Sequence, residues 1–331
     1  MRWTPPRSLR LILLATAGIY ILTAKGHIEI NDTDYSLRTA QAIVEDGTLL
    51  IEPPDPDMAK DTPVLVNGKI YSKYGMGLVV LFLPIVLTAK LLAFLPGPDE
   101  SRILGFLVSF YNIPFAIGAL CFFHRICTHL GATVSGSNLA VLIFGIGTFF
   151  WKYTVTDYSE VTQIFFILGT NYYLFRSKNG DMFKASIMFS GLLLMKMVNV
   201  LLWVPFALYI MQRQGANKVG LQRLFRFASI VFVTGVALLL YNHLRFGSPF
   251  TTGYEGTGTS FSLANLQRDL PHYFFSPQRG LFAFNPILLA PLVFWPSFIR
   301  NHRSEAVCML VTIVFWFLLM ASWTSYQGGW A

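Results

Sequence analysis

Long apolar stretches with few or no charged residues alternate with short polar segments along the whole chain. The first two cover residues 11–24 and 76–95, and both approach the length that spans a bilayer as a helix. Further apolar stretches have their centres near residues 113, 144, 167, 197, 234, 289 and 314. The pattern predicts an all-α polytopic integral membrane protein with about nine transmembrane helices. No repeat and no low-complexity linker divides residues 1–331, so we expect a single transmembrane domain.

Composition agrees with a membrane protein and excludes other classes. Hydrophobic residues make up 54% of the chain and charged residues 13%, and the mean hydropathy is +0.53, values that soluble domains rarely show. The formal net charge is +8, but the bases cluster between apolar stretches, so nucleic acid is not an expected partner. The three cysteines have no C-x-x-C spacing and predict neither a zinc site nor a disulfide framework.

The basic residues also predict the orientation in the membrane. The N-terminus, residues 212–226 and residues 299–303 are rich in Arg and Lys, and such segments stay on the cytoplasmic side. About nine crossings then place a first external loop at residues 25–74 and a second long one at residues 243–279. They also place "FFHRICTH", residues 122–129, on the outer face in spite of its bases.

The first external loop opens with two acids in "INDTDY", residues 30–35. After Asp32, apolar residues recur at helical spacing up to Gly47, which predicts a short amphipathic helix on the membrane surface. Asp32 or Thr33 would cap the free N–H groups at its start, and this structural role competes with a functional one. Farther along, "VNGKIYSKYGMG", residues 66–77, predicts a turn that returns the chain to the next helix.

An apolar helix, an Asp, a surface helix that ends in Gly and then "GKIYSKYGMG" follow one another in an order that resembles the GT-C membrane glycosyltransferases. Within that superfamily the chain looks closest to bacterial relatives of the protein O-mannosyltransferases and the lipid A aminoarabinose transferases. The resemblance implies that Asp32 is the catalytic general base, with Asp34 in reserve. The chain departs from the family pattern at Thr33, where an acid is frequent, and at Gly75 and Met76, where prolines are.

The resemblance also implies a function and a location. A member of this superfamily would move a sugar, with inversion, from a polyprenyl-phosphate-linked donor to an acceptor glycan, lipid or protein on the external, periplasmic face. The expected location is the bacterial inner membrane, in the cell envelope, with the N-terminus in the cytoplasm. Relatives continue beyond the stretch that corresponds to "QGGWA", residues 327–331, so we expect a truncated C-terminal end.

Basic residues at the membrane edge are candidates for binding the donor phosphate. Arg245 lies in "YNHLRFGSPFTTGYEG" and Arg279 in "FFSPQRGLFAFNP", the two segments that flank the second long loop. A guanidinium offers fixed paired donors to phosphate oxygens, and Lys73 is a third candidate. The alternative for each Arg is a position at a helix end from which the side chain reaches the interface.

Several other residues are candidates with a structural alternative. Lys196 interrupts an apolar stretch and either contacts a lipid head group or marks a break between two half-helices, which would raise the count to about ten. Interface belts and helix packing explain most of the aromatic residues. The remaining substrate-side candidates are Tyr71, Tyr74, Tyr254, Glu255 and Trp330. No motif requires a cofactor, although a divalent metal is compatible with His243 or His272 beside an acid.

Two other function classes stay open. A transporter or flippase of lipid-linked sugars also needs many helices, but it concentrates its charges at the bilayer midplane in broken helices. A non-catalytic membrane assembly protein is the second alternative. The concentration of acids and arginines in the predicted external loops favours the transferase.

Overall fold

Helices account for most of the chain, as the apolar pattern predicts. This computed structural model describes residues 4–51, 64–94, 96–178, 180–255, 261–278 and 280–323. The α-helices are α1 (Arg7–Thr23), α2 (Asn31–Asp46), α3 (Met76–Leu92), α4 (Glu100–Val108), α5 (Asn112–His129), α6 (Val134–Ile146), α7 (Phe149–Val155), α8 (Glu160–Arg176), α9 (Asp181–Met195), α10 (Trp203–Gln214), α11 (Lys218–Phe246), α12 (Leu263–Phe275), α13 (Leu281–Phe284), α14 (Ala290–Asn301) and α15 (Arg303–Ser322). Two 3-10 helices cover Met197–Leu202 and Pro286–Leu289.

A two-stranded antiparallel hairpin adds β structure that the apolar pattern does not predict. Strands β1 (Val64–Val66) and β2 (Lys69–Tyr71) pair, with Val66 opposite Lys69. The two turn residues, Asn67 and Gly68, have φ values of 51° and 75°. A two-residue hairpin turn needs such left-handed values, which Asn and Gly adopt most readily. The predicted turn at this position is confirmed.

The chain divides into two compact units. Unit 1 consists of Met1–Val198 and Ser229–Gly253, and unit 2 of Asn199–Ala228 and Tyr254–Ala331. In unit 1, α8 packs against α5 and α9, and α2 packs against α3. One buried cluster of unit 1 lies among α1, α5, α6, α7 and α8, and another among α2, α3 and α4. The apolar face of α2 is therefore buried, as its amphipathic spacing requires.

Unit 2 is joined by helix packing and polar contacts. Its helix α15 packs against α10 and α12. Tyr209 on α10 donates a hydrogen bond to Glu305 on α15 at 3.0 Å, and Asn265 on α12 donates to the Ser322 carbonyl at 3.3 Å. Helix α12 lies within the predicted second loop, where a search for uniformly apolar stretches misses it because the helix is amphipathic.

Among the described residues, three helices are long and apolar enough to span a membrane. They are the nearly continuous run Glu100–His129, which comprises α4 and α5, and the helices α11 and α15. The pair α6 and α7, bent by 55°, makes a fourth if it is counted as one span. The prediction of about nine spans is therefore not supported by the residues that the structure describes. Several apolar stretches fold as shorter pieces: α8 has 17 residues, and α14, with an internal proline, has 12.

The central helices of unit 1, α5 and α8, both begin at one end of the unit and finish at the other. Residues 156–159, here called the connector, lie between α7 and α8, and the first residue of α5, Asn112, contacts them. At the other end, His129 on α5 contacts the Phe175 carbonyl on α8 at 3.2 Å. Residues 122–129 therefore lie about 15–25 Å from the connector along the helix axes. The sequence interpretation places them on the face of Asp32. The structure differs, because α5 begins at the connector, which binds the start of α2, and runs away from it.

Candidate functional site

Asp32 lies in the first turn of α2 and is half-buried. The helix ends at Gly47, whose φ of 64° is left-handed, so the predicted stop at this glycine is confirmed. The predicted cap is wrong. The helix begins at Asn31 after Ile30, whose side chain makes no cap hydrogen bond, so Asp32 is already inside the first turn.

A carboxylate from a distant part of the chain binds the N–H groups that precede α2. Asp157, in the connector, accepts hydrogen bonds from the backbone N–H of Glu29 at 3.0 Å and of Ile30 at 3.1 Å. Asp157 is 2% exposed. Burial raises the pKa of its carboxyl, while the two N–H groups act in the opposite direction. Asp157 thus docks the connector onto the helix that carries Asp32.

Further hydrogen bonds hold the connector against α5 and α2. The side-chain amide of Asn112 donates to the carbonyls of Thr156 at 3.0 Å and of Tyr158 at 2.9 Å. The hydroxyl of Thr33 donates to the carbonyl of Asp157. Asn112 and Thr33 are both buried. Because water has little access to these groups, their hydrogen bonds are stronger than they would be at the surface.

Three acids gather near Tyr158 in the connector. Burial raises the pKa of the Tyr158 hydroxyl, and neighbouring groups raise it further, among them the carboxylates of Glu160, Asp157 and Asp32. Asp157 and Glu160 are neighbours of Tyr158 in the chain, and Thr33, next to Asp32, donates a hydrogen bond to the Asp157 carbonyl. The three acids therefore lie at one end of unit 1, which we call the acid end.

A lysine offsets part of this negative charge. The Nζ atom of Lys196 lies 2.7 Å from Oε1 of Glu160, and both side chains are 36% exposed. Lys196 follows the last residue of α9, Met195, and has extended backbone angles of −143° and 123°. The alternative that Lys196 marks a break between helices is confirmed. Its contact with a lipid head group stays a prediction.

Asp34, the reserve acid, has a local partner. Its carboxylate accepts a hydrogen bond at 2.8 Å from Nε of Arg38, one helical turn away. Residues two positions apart on an α-helix leave it about 200° apart, so Asp32 and Asp34 point in nearly opposite directions. The charge of Asp34 is thus offset within α2, whereas that of Asp32 acts on Tyr158.

The motif "YSKYGMG" packs against two other helices of unit 1. Arg245, at the end of α11, is 3% exposed, and its guanidinium donates to the carbonyls of Ser72 and, at 3.1 Å, of Tyr74. A Cβ atom at Gly75 would lie 2.5 Å from the carbonyl oxygen of Met195, so α3 begins in backbone contact with the end of α9. Phosphate binding by Arg245 stays a prediction.

The other sequence candidates in unit 1 lie among aromatic side chains. Tyr71 packs edge-on against Phe246, with ring centres 6.3 Å apart. Tyr74 stacks on Tyr35 at 6.0 Å, and Nζ of Lys73 lies 5.5 Å from the centre of the Tyr74 ring. These contacts hold the hairpin region against α2 and α11.

In unit 2, Tyr254 packs edge-on against Trp323, with ring centres 5.7 Å apart. Glu255 is exposed. Arg279 and Trp330 lie outside the described residues. The roles of these four candidates, Tyr254, Glu255, Arg279 and Trp330, stay predictions.

The two candidate metal ligands lie on different helices. His243 is exposed in the last turn of α11, and His272 is exposed on α12. Within the described ranges, no group of three or more His, Cys, Asp or Glu side chains is arranged to hold a metal ion. Metal dependence stays a prediction, and we derive no chemical step through a metal.

Comparison with solved structures identifies the fold. The chain matches the crystal structure of the Archaeoglobus fulgidus oligosaccharyltransferase in the apo form over 92% of its own length, with a TM-score of 0.54 and 12% sequence identity. This chain shares the fold of part of an oligosaccharyltransferase. It covers 38% of that protein's length.

A second structure, of the oligosaccharyltransferase AglB from Archaeoglobus fulgidus in complex with an inhibitory peptide and a dolichol-phosphate, matches over the same 92% and 38% with a TM-score of 0.47 and 10% identity. No family model matches the sequence. No curated protein matches it either. At these identities the comparison bears on the fold alone.

Sequence reasoning misses Asp157, Glu160 and Asn112. The stretch "TDYSE", residues 156–160, places two acids between apolar stretches, and acids in such a position are a signal for function. Asn112 carries no comparable signal, because its importance depends on which carbonyl groups the fold brings opposite its amide.

Proposed function

We propose that this protein is a membrane glycosyltransferase that moves a sugar from a polyprenyl-phosphate-linked donor to an acceptor. The observation that carries the proposal is the placement of Asp32 in the first turn of α2, next to Thr33, which binds the carbonyl of Asp157, in a chain with the fold of part of an oligosaccharyltransferase. The motif order of a GT-C transferase supports the same conclusion. Within that superfamily, we propose that the chain belongs with the relatives of the protein O-mannosyltransferases and the aminoarabinose transferases.

In the proposed reaction, a hydroxyl or amine of the acceptor attacks the anomeric carbon of the sugar. The bond from that carbon to the acceptor forms while the bond to the phosphate oxygen breaks on the opposite face, so the configuration inverts. Asp32 takes the acceptor proton as general base. The leaving phosphate keeps the bonding electron pair and needs charge stabilisation more than protonation. Lys196, Lys73 and Arg279 are the proposed sources of positive charge.

The distribution of charge supports an external active site. Arg7 and Arg10 lie at the start of α1, and Arg125 lies near the end of α5, all on the side of unit 1 that is remote from Asp32. Positive side chains favour the cytoplasmic face of a membrane. We therefore propose that the N-terminus is cytoplasmic and that Asp32 faces outward, toward the periplasm if the source is bacterial.

The proposal is tested by measuring transfer of radiolabelled sugar from polyprenyl-phosphate donors in membranes that contain the protein. Asp32→Asn should lower the transfer rate at least about 100-fold, because a general base contributes on that scale. Asp34→Asn is the matched control: it removes an equal charge two residues away, and we expect near wild-type transfer. Equal transfer by wild type and Asp32→Asn would exclude Asp32 as the base.

A transporter of lipid-linked sugars makes a different prediction for the same membranes. It would move the labelled lipid between leaflets without forming a labelled product, and Asp32→Asn would have no special effect on that movement. Labelled product that forms with the wild type and is lost in Asp32→Asn would therefore exclude the transporter.

A further inference from the structure

We propose that Asp157 and Asn112 are positioning residues that hold the first turn of α2, and with it the carboxylate of Asp32, in place for the reaction. The inference rests on the proposed function for the role of Asp32. The contact network itself is independent of that role, and this allows the two to be tested separately.

The first step in the argument is that α2 is docked at its start by another part of the chain. The N-cap residue, Ile30, makes no side-chain cap hydrogen bond. Instead the two carboxylate oxygens of Asp157 accept one hydrogen bond each, from the N–H of Glu29 and of Ile30. Bonds from N–H groups to an ionised acceptor are stronger than bonds between neutral groups, and two of them fix direction as well as distance.

The second step is that Asp157 is itself held in place. Its carbonyl accepts hydrogen bonds from the Tyr111 hydroxyl at 3.1 Å and from the Thr33 hydroxyl on α2. The connector on both sides of Asp157 is bound by the amide of Asn112, whose own oxygen accepts a hydrogen bond from the Thr162 hydroxyl at 3.3 Å. The start of α2 is thereby tied to α5 and α8.

The third step separates Asp157 from the residues that meet substrate. Asp157 is 2% exposed and Asn112 is 1% exposed, and both carboxylate oxygens of Asp157 bind backbone N–H groups. Asp32, two residues after Ile30, is half-buried and therefore accessible. The geometry fits a division of labour in which Asp157 sets the position of α2 and Asp32 reaches the acceptor.

Hydrogen–deuterium exchange on the purified full chain in lipid nanodiscs tests the positioning directly. In Asp157→Ala, the amides of Glu29 and Ile30 should exchange at least about tenfold faster, because each loses a hydrogen bond to a charged group. Asp157→Asn keeps one acceptor oxygen and should give an intermediate rate. Asn112→Ala should raise the same two rates by a smaller factor, because the connector loosens while the carboxylate remains.

The matched control is Asp99→Ala. Asp99 is also a helix-capping aspartate of unit 1, and it accepts a hydrogen bond at 2.8 Å from the N–H of Arg102 at the start of α4. Its loss should speed exchange at Arg102 and leave Glu29 and Ile30 unchanged. If Asp157→Ala does not fold, Thr33→Val, which removes a single buried hydroxyl, replaces it. Exchange at Glu29 and Ile30 should then be faster in Thr33→Val than in the wild type.

Transfer measurements complete the test, because a positioning role predicts more than loss of stability. Across wild type, Asp157→Asn and Asp157→Ala, kcat per folded molecule should fall in the order in which exchange at Glu29 and Ile30 rises, without an increase in KM for the donor. Unchanged exchange at these amides in Asp157→Ala would overturn the proposal. If transfer were lost in that variant while exchange stayed unchanged, Asp157 would instead be a residue that contacts the substrate. Faster exchange in a chain that transfers no sugar would support the docking and refute the transferase.

Discussion

The two ends of unit 1 hold their charged residues in different ways. At the acid end, Glu160 and Lys196 form an ion pair with both side chains 36% exposed. At the other end, here called the basic end, Arg176 and Asp181 form a bidentate pair in which Asp181 is completely buried. The guanidinium of Arg125 lies 4.2 Å from the centre of the Tyr172 ring at this end.

The difference indicates what each end is built for. A buried pair with several hydrogen bonds holds its geometry tightly, and loss of one partner leaves an uncompensated charge. A half-exposed pair contributes little to stability, because water screens it, and its side chains remain accessible to a ligand. The basic end therefore ties α8 to α9, whereas the acid end presents charged side chains on a framework of backbone hydrogen bonds.

The largest effect on stability is expected at the basic end. Asp181→Ala should lower the free energy of unfolding by about 3 kcal/mol, because Arg176 loses the partner of a largely buried pair. Asp99→Ala, at an exposed cap, should lower it by only about 1 kcal/mol. Thermal unfolding in detergent measures both. A smaller loss in Asp181→Ala than in Asp99→Ala would remove the contrast between the two ends.

The second effect concerns the backbone contact beside the acid end. Gly75→Ala should destabilise the protein by about 1–3 kcal/mol, because the new Cβ atom meets the fixed carbonyl oxygen of Met195 and α3 must shift. Gly18→Ala in α1 is the control, since a Cβ there meets nothing within 4 Å. That control should be neutral or stabilising by up to about 1 kcal/mol. Equal stabilities of the two variants would show that α3 can move at no cost.

The smallest effect on stability is expected at the exposed ion pair. Glu160→Gln should change the free energy of unfolding by less than about 1 kcal/mol, as is usual for pairs that water screens. Transfer should nevertheless fall, because the charge that holds Lys196 at the acid end is lost. Comparing kcat with the unfolding midpoint separates the two effects. A large loss of stability with normal transfer would make this pair resemble Arg176 and Asp181.

Local features of this molecule could be predicted from residue type and spacing. The helix that ends at Gly47, the turn at Asn67 and Gly68, and the break at Lys196 all depend on a few neighbouring residues. A glycine accepts a left-handed φ, and a charged residue interrupts an apolar stretch, whatever the rest of the chain does. The count of membrane spans could not be predicted in this way, because apolar composition does not reveal where a helix bends or stops.

The candidate functional site also has parts that the sequence predicts and parts that it does not. Composition and periodicity alone indicate a helical membrane protein, and motif order singles out Asp32, since both depend on residue type and short-range spacing. Tertiary structure alone decides that Asp157, 128 residues away from Glu29, binds the start of α2, and that Asn112 holds the connector in place. Such contacts form when packed helices bring donors opposite acceptors. No local pattern encodes which residues will meet, because the helix packing that decides it depends on the whole chain.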